Sequence, residues 1–508
     1  MQKLAALDAS FLYNETSRSN SNIGNLQVLE MPAGVTTAEF ISTLKSFIAS
    51  RIHNVPYMTR KLVFVPGSLD HPVWVEDSNI DMDNHIIELP VCAPGGLAEM
   101  EAAVAQVHEK KMPLDRPLWA IYVLTGLRDG NIAYYNQIHH ATIDGASGNA
   151  ALDFLMDESP DHPPVTGPIA RDTAEPALER RPALTLVEDA FSNFLRYQME
   201  TSKRVLGTMD ASRRLFQRAI DPTQNFGAYR KRAPETPFSG EVSAKRTWKI
   251  FELPLADVKQ IGKTVDATVN DVFMEICAGG LRRYLERKGE LPEDSLIAGC
   301  PVSLRQPGDT SNRNQVTMML VELATDIADP IERLKAIRSS SQTAKGLTAD
   351  IAAAIDTDTA LPGLPAIMQT HFAAQEALGL TRFVRAPMNV VISNVPGPRT
   401  TRYSNGAKML THYPISIATH GAALNITTQS YLDRMYVGIT ACAKAVPDAD
   451  LLREDMLAAF AELKFRLLPT NVSELRPRQL PVTIEDMIDQ VMPVADPEPS
   501  AETEEKVA

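Results

Sequence analysis

A run of seven residues, HHATIDG, extends from His139 to Gly145 and combines side chains that can move a proton. Imidazole titrates near neutral pH without help from its surroundings, so one histidine can act as a general base while the other shapes a pocket. Asp144 can fix the local backbone, and Gly145 permits a tight turn that other residues resist. The motif therefore predicts an acid–base active site.

Two other interpretations of the motif stay open at this point. A histidine in this setting is often a buried structural residue, and HHxxxD also resembles a set of metal ligands. A metal site is usually completed by further ligands, and the sequence contains neither an HExxH helix nor a second acid–histidine cluster. We therefore expect no metal at this site.

A second candidate site lies far along the chain in TVNDVF, from Thr268 to Phe273. Thr268 and Asp271 have the spacing of a helix-capping pair, and an apolar stripe follows at helical intervals. The amino end of a helix carries partial positive charge, so Asn270 is placed to stabilise a developing oxyanion. The alternative is that Asn270 only caps the helix.

The elements that must position these residues form two mixed regions. In the first 156 residues, sequence patterns predict several strands and one helix. The strands are Lys61–Pro66, Val73–Glu76, Ile121–Thr125 and Ile132–Ile138, and the helix is Leu97–Lys111. HHATIDG directly follows the last of these strands, which places it at a strand end.

The second region starts at about Phe238 and repeats the mixture of helices and strands. Helical spacing marks Leu253–Thr264, Val269–Arg287 and Pro330–Lys345. Strand patterns mark Val316–Leu323, Asn389–Ile392, Leu424–Thr428 and Met435–Thr440. The two regions together predict a mixed α/β protein with more than one domain.

The segment between the two regions has a different composition. Residues 157–182 are rich in proline and charge and predict a linker, and an amphipathic helix follows from Leu184. Between Arg196 and Arg232 there are nine basic and three acidic residues. This stretch is either a solvated helical face or a contact with anionic lipid head groups or a polyphosphate ligand.

Composition excludes several classes of protein. With 508 residues, 44% hydrophobic and 22% charged, the chain is predicted to be a globular protein of two or three domains. Its net charge of −13 argues against general nucleic-acid binding. No apolar run reaches the roughly 20 residues of a membrane-spanning helix. Four scattered cysteines indicate a reducing cytoplasm, and we expect them to be buried: Cys92, Cys277, Cys300 and Cys442.

Several motifs resemble those of the bacterial wax ester synthase/diacylglycerol acyltransferase family. They are LDASFLYNET, HPVWVEDSNIDMDNHI, PLDRPLW, HHATIDG, TVNDVFMEICAGGLRRYL, PVSLR and ISNVPGP. The resemblance extends from about Leu4 to about Leu468. It implies a coenzyme A-dependent acyltransferase with two chloramphenicol acetyltransferase-like domains, mixed sheets flanked by helices, and an active-site tunnel at the domain interface.

Domain limits follow from the resemblance and from the change in composition. We expect an N-terminal acyltransferase domain at residues 1–156 and a C-terminal one at residues 238–470. Residues 157–237 would be the proline-rich linker and basic helical crossover between them. Residues 471–508 form an acidic tail that is expected to be disordered.

The resemblance also implies roles for the residues of the histidine motif. His140 would be the general base, and His139 would shape the acyl or alcohol pocket. Asp144 and Gly145 would hold the loop. We expect Asp144 to pair with Arg305 of PVSLR and to serve structure, without relaying charge.

The resemblance also implies a second part of the site, because the Asn-Asp pair of the family matches Asn270 and Asp271 here. Asn270 is the candidate oxyanion donor, and Asp271 supports it. The family's Ser-Gly followed closely by arginine is matched only loosely, by Ser239-Gly240 with Arg246 several residues away.

The implied reaction moves a long-chain fatty acyl group from acyl-coenzyme A to a fatty alcohol, a diacylglycerol or both. No metal and no bound cofactor is expected. Residues 184–232 are a candidate for peripheral contact with the inner membrane face or a lipid inclusion. Two alternatives are a natural-product or condensation-type acyltransferase of the same superfamily and a non-catalytic lipid-binding relative.

Overall fold

The computed structural model describes residues 2–143, 151–161, 185–193, 213, 226–303, 316–354, 363–383 and 386–468. Three predicted site residues, Asp144, Gly145 and Arg305, lie outside these ranges. So do the tail and most of the linker and basic segment that the sequence places between the domains.

The structure contains sixteen strands within the described residues. They are β1 Gln2–Lys3, β2 Asn22–Glu30, β3 Arg60–Val63, β4 Val73–Glu76, β5 Ile86–Pro90, β6 Trp119–Thr125, β7 Ile132–His139, β8 Arg246–Pro254, β9 Ile297–Ser303, β10 Val316–Glu322, β11 Val390–Val395, β12 Tyr403–Ser404, β13 Ala407–Met409, β14 Tyr413–Ile415, β15 Leu424–Tyr431 and β16 Arg434–Cys442. The predicted strand Lys61–Pro66 ends early, because Pro66 has no N–H for a ladder and begins a 3-10 turn.

The α-helices carry apolar faces that cover these strands. They are α1 Ala6–Tyr13, α2 Thr37–Ala49, α3 Pro56–Thr59, α4 Leu97–His108, α5 Leu255–Thr264, α6 Val269–Lys288, α7 Pro330–Ala354, α8 Leu364–Ala377 and α9 Ala449–Leu467. Residues 151–155 and 185–193 are also helical. The helix α6 stops at Gly289, whose φ of 69° is the left-handed conformation that commonly ends helices.

The first large sheet contains the strand that leads into HHATIDG. Its strand order is β12-β13-β2-β7-β6-β5, and β14 also pairs with β2. Alternation along these strands sends Leu29 and Tyr134 to a core beneath α2, and Leu26 and Tyr135 to a core on the other face. The β7 strand is therefore central in its sheet and covered on both faces.

The second large sheet has the order β10-β9-β11-β15-β16-β8 and lies almost entirely after residue 246. Helices α5, α6, α7 and α9 contribute to its core, in which α6 contributes residues that are completely buried. The helix that begins at TVNDVF is thus the central support of this sheet.

The second half of the chain supplies strands to the first sheet. Residues 403–415, which follow β11 in sequence, supply β12, β13 and β14 to the first sheet. Lys408 pairs with Glu30, and Tyr413 pairs with Leu26. The β2 strand is therefore enclosed between β7 and strands that come from the other end of the chain.

The predicted mixed α/β class with helix-flanked sheets and two domains is confirmed. The expected burial of the cysteines is confirmed for Cys277, Cys300 and Cys442 and is wrong for Cys92, which is exposed. Cys92 follows β5 in a turn, where its carbonyl accepts from the N–H of Gly95, and turns of this kind lie at the surface.

Candidate active site

His139 is the last residue of β7, and both of its ring nitrogens are engaged. The backbone N–H of Ala141 donates to Nδ1 over 3.1 Å, so Nδ1 acts as an acceptor. Nε2 is then the ring nitrogen that donates, and it lies 3.3 Å from Oε1 of Glu15. With a side-chain exposure of 0%, His139 is a fixed internal donor to Glu15.

Glu15 is held as a carboxylate beneath the histidine pair. Burial raises the pKa of this carboxyl, but the hydrogen bond and charge of His139, the N–H of Ser21 and the charge of Lys111 outweigh burial and lower the pKa overall. The Ser21 N–H donates over 2.9 Å, and Lys111 Nζ lies 3.8 Å from the second oxygen. Glu15 is therefore ionised at neutral pH.

His140 lies in the turn after β7 and is only half-buried. Its ring stacks on Phe11, with ring centroids 4.0 Å apart and planes inclined by 7°. Its backbone N–H donates to the carbonyl of Ser21 over 2.9 Å. The N–H and hydroxyl of Thr142 both bond the carbonyl of His139, which tightens the turn. The His140 ring is thus oriented by stacking and stays half-buried, with its Nδ1 turned inward.

The loop at residues 14–21, between α1 and β2, supports both histidines and is held by the second half of the chain. The guanidinium of Arg246 donates to the carbonyl of Arg18 over 2.8 Å and to that of Ala418 over 3.1 Å. Glu376 at the end of α8 accepts from both the N–H and the hydroxyl of Ser17. The loosely matched Arg246 therefore fastens the loop to the second sheet.

The TVNDVF segment begins α6 as the capping pattern predicts. The Thr268 hydroxyl accepts from the N–H of Asp271, and the carboxylate of Asp271 accepts from the N–H and hydroxyl of Thr268 over 2.9 and 2.7 Å. Asn270 lies in the first turn and is half-buried, whereas Asp271 is buried. The structure gives Asp271 a capping role, and the placement of Asn270 against His140 stays a prediction.

The structure brings some of the predicted site residues together and adds others. His139 and His140 share one turn, and Glu15 joins them from the loop that precedes β2. Motif reasoning missed the Glu15–His139 bond because the two residues are far apart in sequence. A signal was present, since LDASFLYNET contains both Phe11 and Glu15.

A metal centre finds no support in the part of the chain that the structure describes. No group of three or more histidine, cysteine, aspartate or glutamate side chains is arranged there to hold a metal ion. In the same described ranges, no helix is both long enough and apolar enough to cross a membrane.

Two helix-flanked sheets, with a histidine pair at the end of a central strand, define a two-domain acyltransferase fold. The chain belongs to the wax ester synthase/diacylglycerol acyltransferase family. Residues 4–273 match the wax ester synthase/diacylglycerol acyltransferase catalytic domain, and residues 313–464 match the WS/DGAT C-terminal domain.

Sequence identity to individual relatives supports the assignment to this family. A candidate diacylglycerol O-acyltransferase of Mycobacterium tuberculosis, Rv1760, is 32% identical over 457 residues, covering 88% of this chain and 87% of its own. A second from that organism, Rv3740c, is 30% identical, covering 91% of this chain and 99% of its own.

Solved structures extend the comparison to three dimensions. The wax ester synthase/diacylglycerol acyltransferase of Marinobacter aquaeolei superposes with a TM-score of 0.64 at 25% identity, covering 92% of this chain and 100% of its own. The first condensation domain of the calcium-dependent antibiotic synthetase superposes with a TM-score of 0.53 at 14% identity, covering 92% and 98%, and shows a shared fold. The chain is thus an acyltransferase by family.

Proposed function

We propose that this protein transfers a long-chain fatty acyl group from acyl-coenzyme A to the hydroxyl of a fatty alcohol or a diacylglycerol, with His140 as general base. The observation that carries the assignment is the unequal state of the two histidines. His139 is fully buried and bonded at both ring nitrogens. His140 is half-buried and stacked, which suits the histidine that exchanges a proton.

In the proposed reaction, His140 takes the proton of the acceptor hydroxyl as the oxygen attacks the thioester carbonyl. The carbon–sulfur bond then breaks, and the imidazolium returns the proton to the departing thiolate. General acid–base help of this kind contributes about 10²–10⁴ in rate. Asn270 is proposed to donate to the oxyanion from the positive end of α6.

The remaining predicted residues have supporting roles in this proposal. Asp144 and Gly145 hold the loop after the histidines, and Arg305 pairs with Asp144. His139, anchored by Glu15, forms the inner wall beside His140. The proposed mechanism uses neither a metal nor a bound cofactor, and it assigns both proton transfers to one imidazole.

Two acceptors are retained because the relatives carry both names. The Mycobacterium tuberculosis relatives are named for diacylglycerol O-acyltransfer, and the Marinobacter aquaeolei protein is named for wax ester synthesis as well. We propose a cytoplasmic protein that contacts a membrane or lipid inclusion through residues 184–232, and the partition of both acceptors into lipid supports the contact.

The test compares His140→Ala with the unchanged protein. Palmitoyl-coenzyme A is supplied with hexadecanol, with diolein, or with no acceptor, while free thiol and ester product are followed. We expect acceptor-dependent thiol release from the unchanged protein and a loss of about 10²-fold or more in the variant at an unchanged melting temperature. A matched control is His53→Ala, at an exposed histidine of the same domain. Near-normal turnover by His140→Ala would refute the mechanism.

A further inference from the structure

A small cavity lies inside the first domain, directly behind the strand that carries the histidines. Its volume is about 70 Å³. The β7 residues Ile138 and Tyr134, the β2 residue Gln27 and the helical residues Ala151 and Leu155 contribute to its walls. Ile138 lies on β7, two residues before His140 in the turn that follows, so the cavity begins close to the proposed general base.

Three polar side chains form a row across the sheet, and two of them, Gln27 and Tyr134, line this cavity. Gln27 on β2 is directly paired with Tyr134 on β7. On its other side, the pairing of Tyr413 with Leu26, continued by one residue, places His412 opposite Gln27. Directly paired residues project to the same face of a sheet. We call Tyr134, Gln27 and His412 the polar row.

Several polar atoms of the row lack hydrogen-bond partners within the described residues. Nε2 of Gln27 and both ring nitrogens of His412 make no hydrogen bond there. The hydroxyl of Tyr134 contacts the side chain of Ser404, which also lines the cavity. The exposed fractions are 2% for Tyr134, 2% for Gln27 and 0% for His412. Buried polar groups are nearly always paired, so several unpaired groups in one row point to a missing partner.

The chemistry of the row limits what that partner is. No charged side chain lines the cavity in the described part of the chain, so an anionic or cationic group is disfavoured there. A hydroxyl and an amide N–H₂ at the cavity, with an imidazole beside them, together suit an uncharged oxygen that accepts and donates hydrogen bonds. Much of the remaining wall is apolar, including Trp119, Ile121 and Met156, and suits hydrocarbon.

We propose that the polar row is a subsite for a hydroxyl or similar uncharged oxygen function on the distal part of a long-chain substrate. Tyr134 precedes His140 by six residues, or about 20 Å along an extended strand. A substrate whose reacting end lies at His140 would therefore meet the row with the distal part of its hydrocarbon chain. A cavity of about 70 Å³ holds the oxygen function and a short piece of chain. This subsite rests on the proposed acyl transfer.

The same chemistry is present in a hydroxylated acyl chain and in a hydroxylated alcohol, and two assay arms separate them. One arm compares ω-hydroxypalmitoyl-coenzyme A with palmitoyl-coenzyme A, using hexadecanol as acceptor. The other compares an α,ω-diol with hexadecanol, using palmitoyl-coenzyme A as donor. In each arm the measured quantity is the ratio of kcat/KM for the hydroxylated and the plain substrate.

Tyr134→Phe and Gln27→Leu remove polar atoms from the row with little change in volume. Tyr122→Phe is the control, because Tyr122 lies next to Tyr135 on the opposite face of the same sheet. We expect the unchanged protein to prefer the hydroxylated substrate in one arm. Each row variant should lower that preference about fivefold, the value of one hydrogen bond, and the control should keep it.

The outcomes separate this inference from the proposed function. Turnover of plain substrates without preference in either arm overturns the subsite and leaves the acyl transfer standing. A preference that survives both row variants also overturns the subsite. No turnover of any substrate contradicts the proposed function and, with it, the subsite.

Discussion

Glu15 connects the two histidines of the active-site turn through a single carboxylate. It accepts from the ring of His139 and from the N–H of Ser21, whose carbonyl in turn accepts from the N–H of His140. The charge on Glu15 and the proton on Nε2 of His139 therefore stabilise each other. Glu15 is a positioning residue, because its contacts are with the histidine turn.

We expect Glu15→Ala to lower kcat about tenfold or more and to lower the melting temperature, because it leaves the ring of His139 and the N–H of Ser21 without their partner. Glu15→Gln should recover most of the stability and only part of kcat, since the amide oxygen can accept both hydrogen bonds but carries no charge. Steady-state kinetics with pH profiles and thermal unfolding measure both effects.

The matched control for this pair is Glu76→Gln, at a largely exposed carboxylate that pairs with Arg60 at the surface. It should leave kcat and melting temperature unchanged, because exposed ion pairs contribute little. Full kcat in Glu15→Ala would show that the histidine turn is fixed without this carboxylate.

The histidine motif could be predicted from sequence because its residues are adjacent and of unusual type. The Glu15–His139 bond and the Phe11–His140 stack could not, because each joins residues more than a hundred positions apart. A carboxylate in LDASFLYNET looks like many other surface glutamates until β2 and β7 are paired. The residues of a motif are adjacent in sequence and can be recognised together. The residues that contact the motif from elsewhere depend on how the strands pair.

At the scale of elements, the first turn of α6 contains a capping pair, Thr268 and Asp271, and the proposed oxyanion donor, Asn270. Thr268 and Asp271 bond each other reciprocally, and this satisfies N–H groups that a helix cannot pair internally. We expect Thr268→Ala to lower the free energy of unfolding by about 1 kcal/mol, measured by urea denaturation, with little change in kcat. Unchanged stability would contradict the cap.

Asn270→Ala should show the reverse pattern. If Asn270 donates to the oxyanion, the variant keeps its unfolding free energy and loses about 10²–10³ in kcat, measured by thiol release. Thr268→Ala is the control on the same helix turn. A loss of stability with full kcat would reassign Asn270 to the helix cap.

Elements with strong periodicity were predicted to within a few residues, including β4, β7, β10, α4 and α6. The contribution of β12, β13 and β14 to the first sheet was not predicted. These strands are two or three residues long, so they carry almost no periodic signal, and their pairing depends on contacts across most of the chain. Strand order in a sheet is a property of tertiary structure that local patterns do not contain.

At the scale of the whole molecule, two buried histidines make stability depend on pH. His108 donates to the carbonyl of Ser416 and pairs with the hydroxyl of Tyr135, and burial lowers its pKa to about 3. Burial also lowers the pKa of His412 to about 3. Between pH 6.5 and 3 the unfolded chain binds protons that the folded protein does not, so stability falls as pH falls.

We expect each of these two histidines to remove about 2 kcal/mol of unfolding free energy between pH 7.5 and pH 5, measured by urea denaturation. His412→Leu should remove about half of their combined loss. The exposed residue His53 supplies the control, because His53→Leu should leave the pH dependence unchanged. An identical loss in His412→Leu and the unchanged protein would rule out this origin.

The first sheet can be completed only late in synthesis, because β12, β13 and β14 come from residues 403–415. Glu30 of β2 finds Lys408 only after roughly 380 further residues have been synthesised, which at about 5–20 residues per second takes on the order of 20–80 s. During that interval the nascent chain presents an unpaired strand edge, the kind of edge that invites aggregation. A chain that ends before residue 403 therefore leaves this edge of β2 unpaired, because the strands that cover it are not yet present.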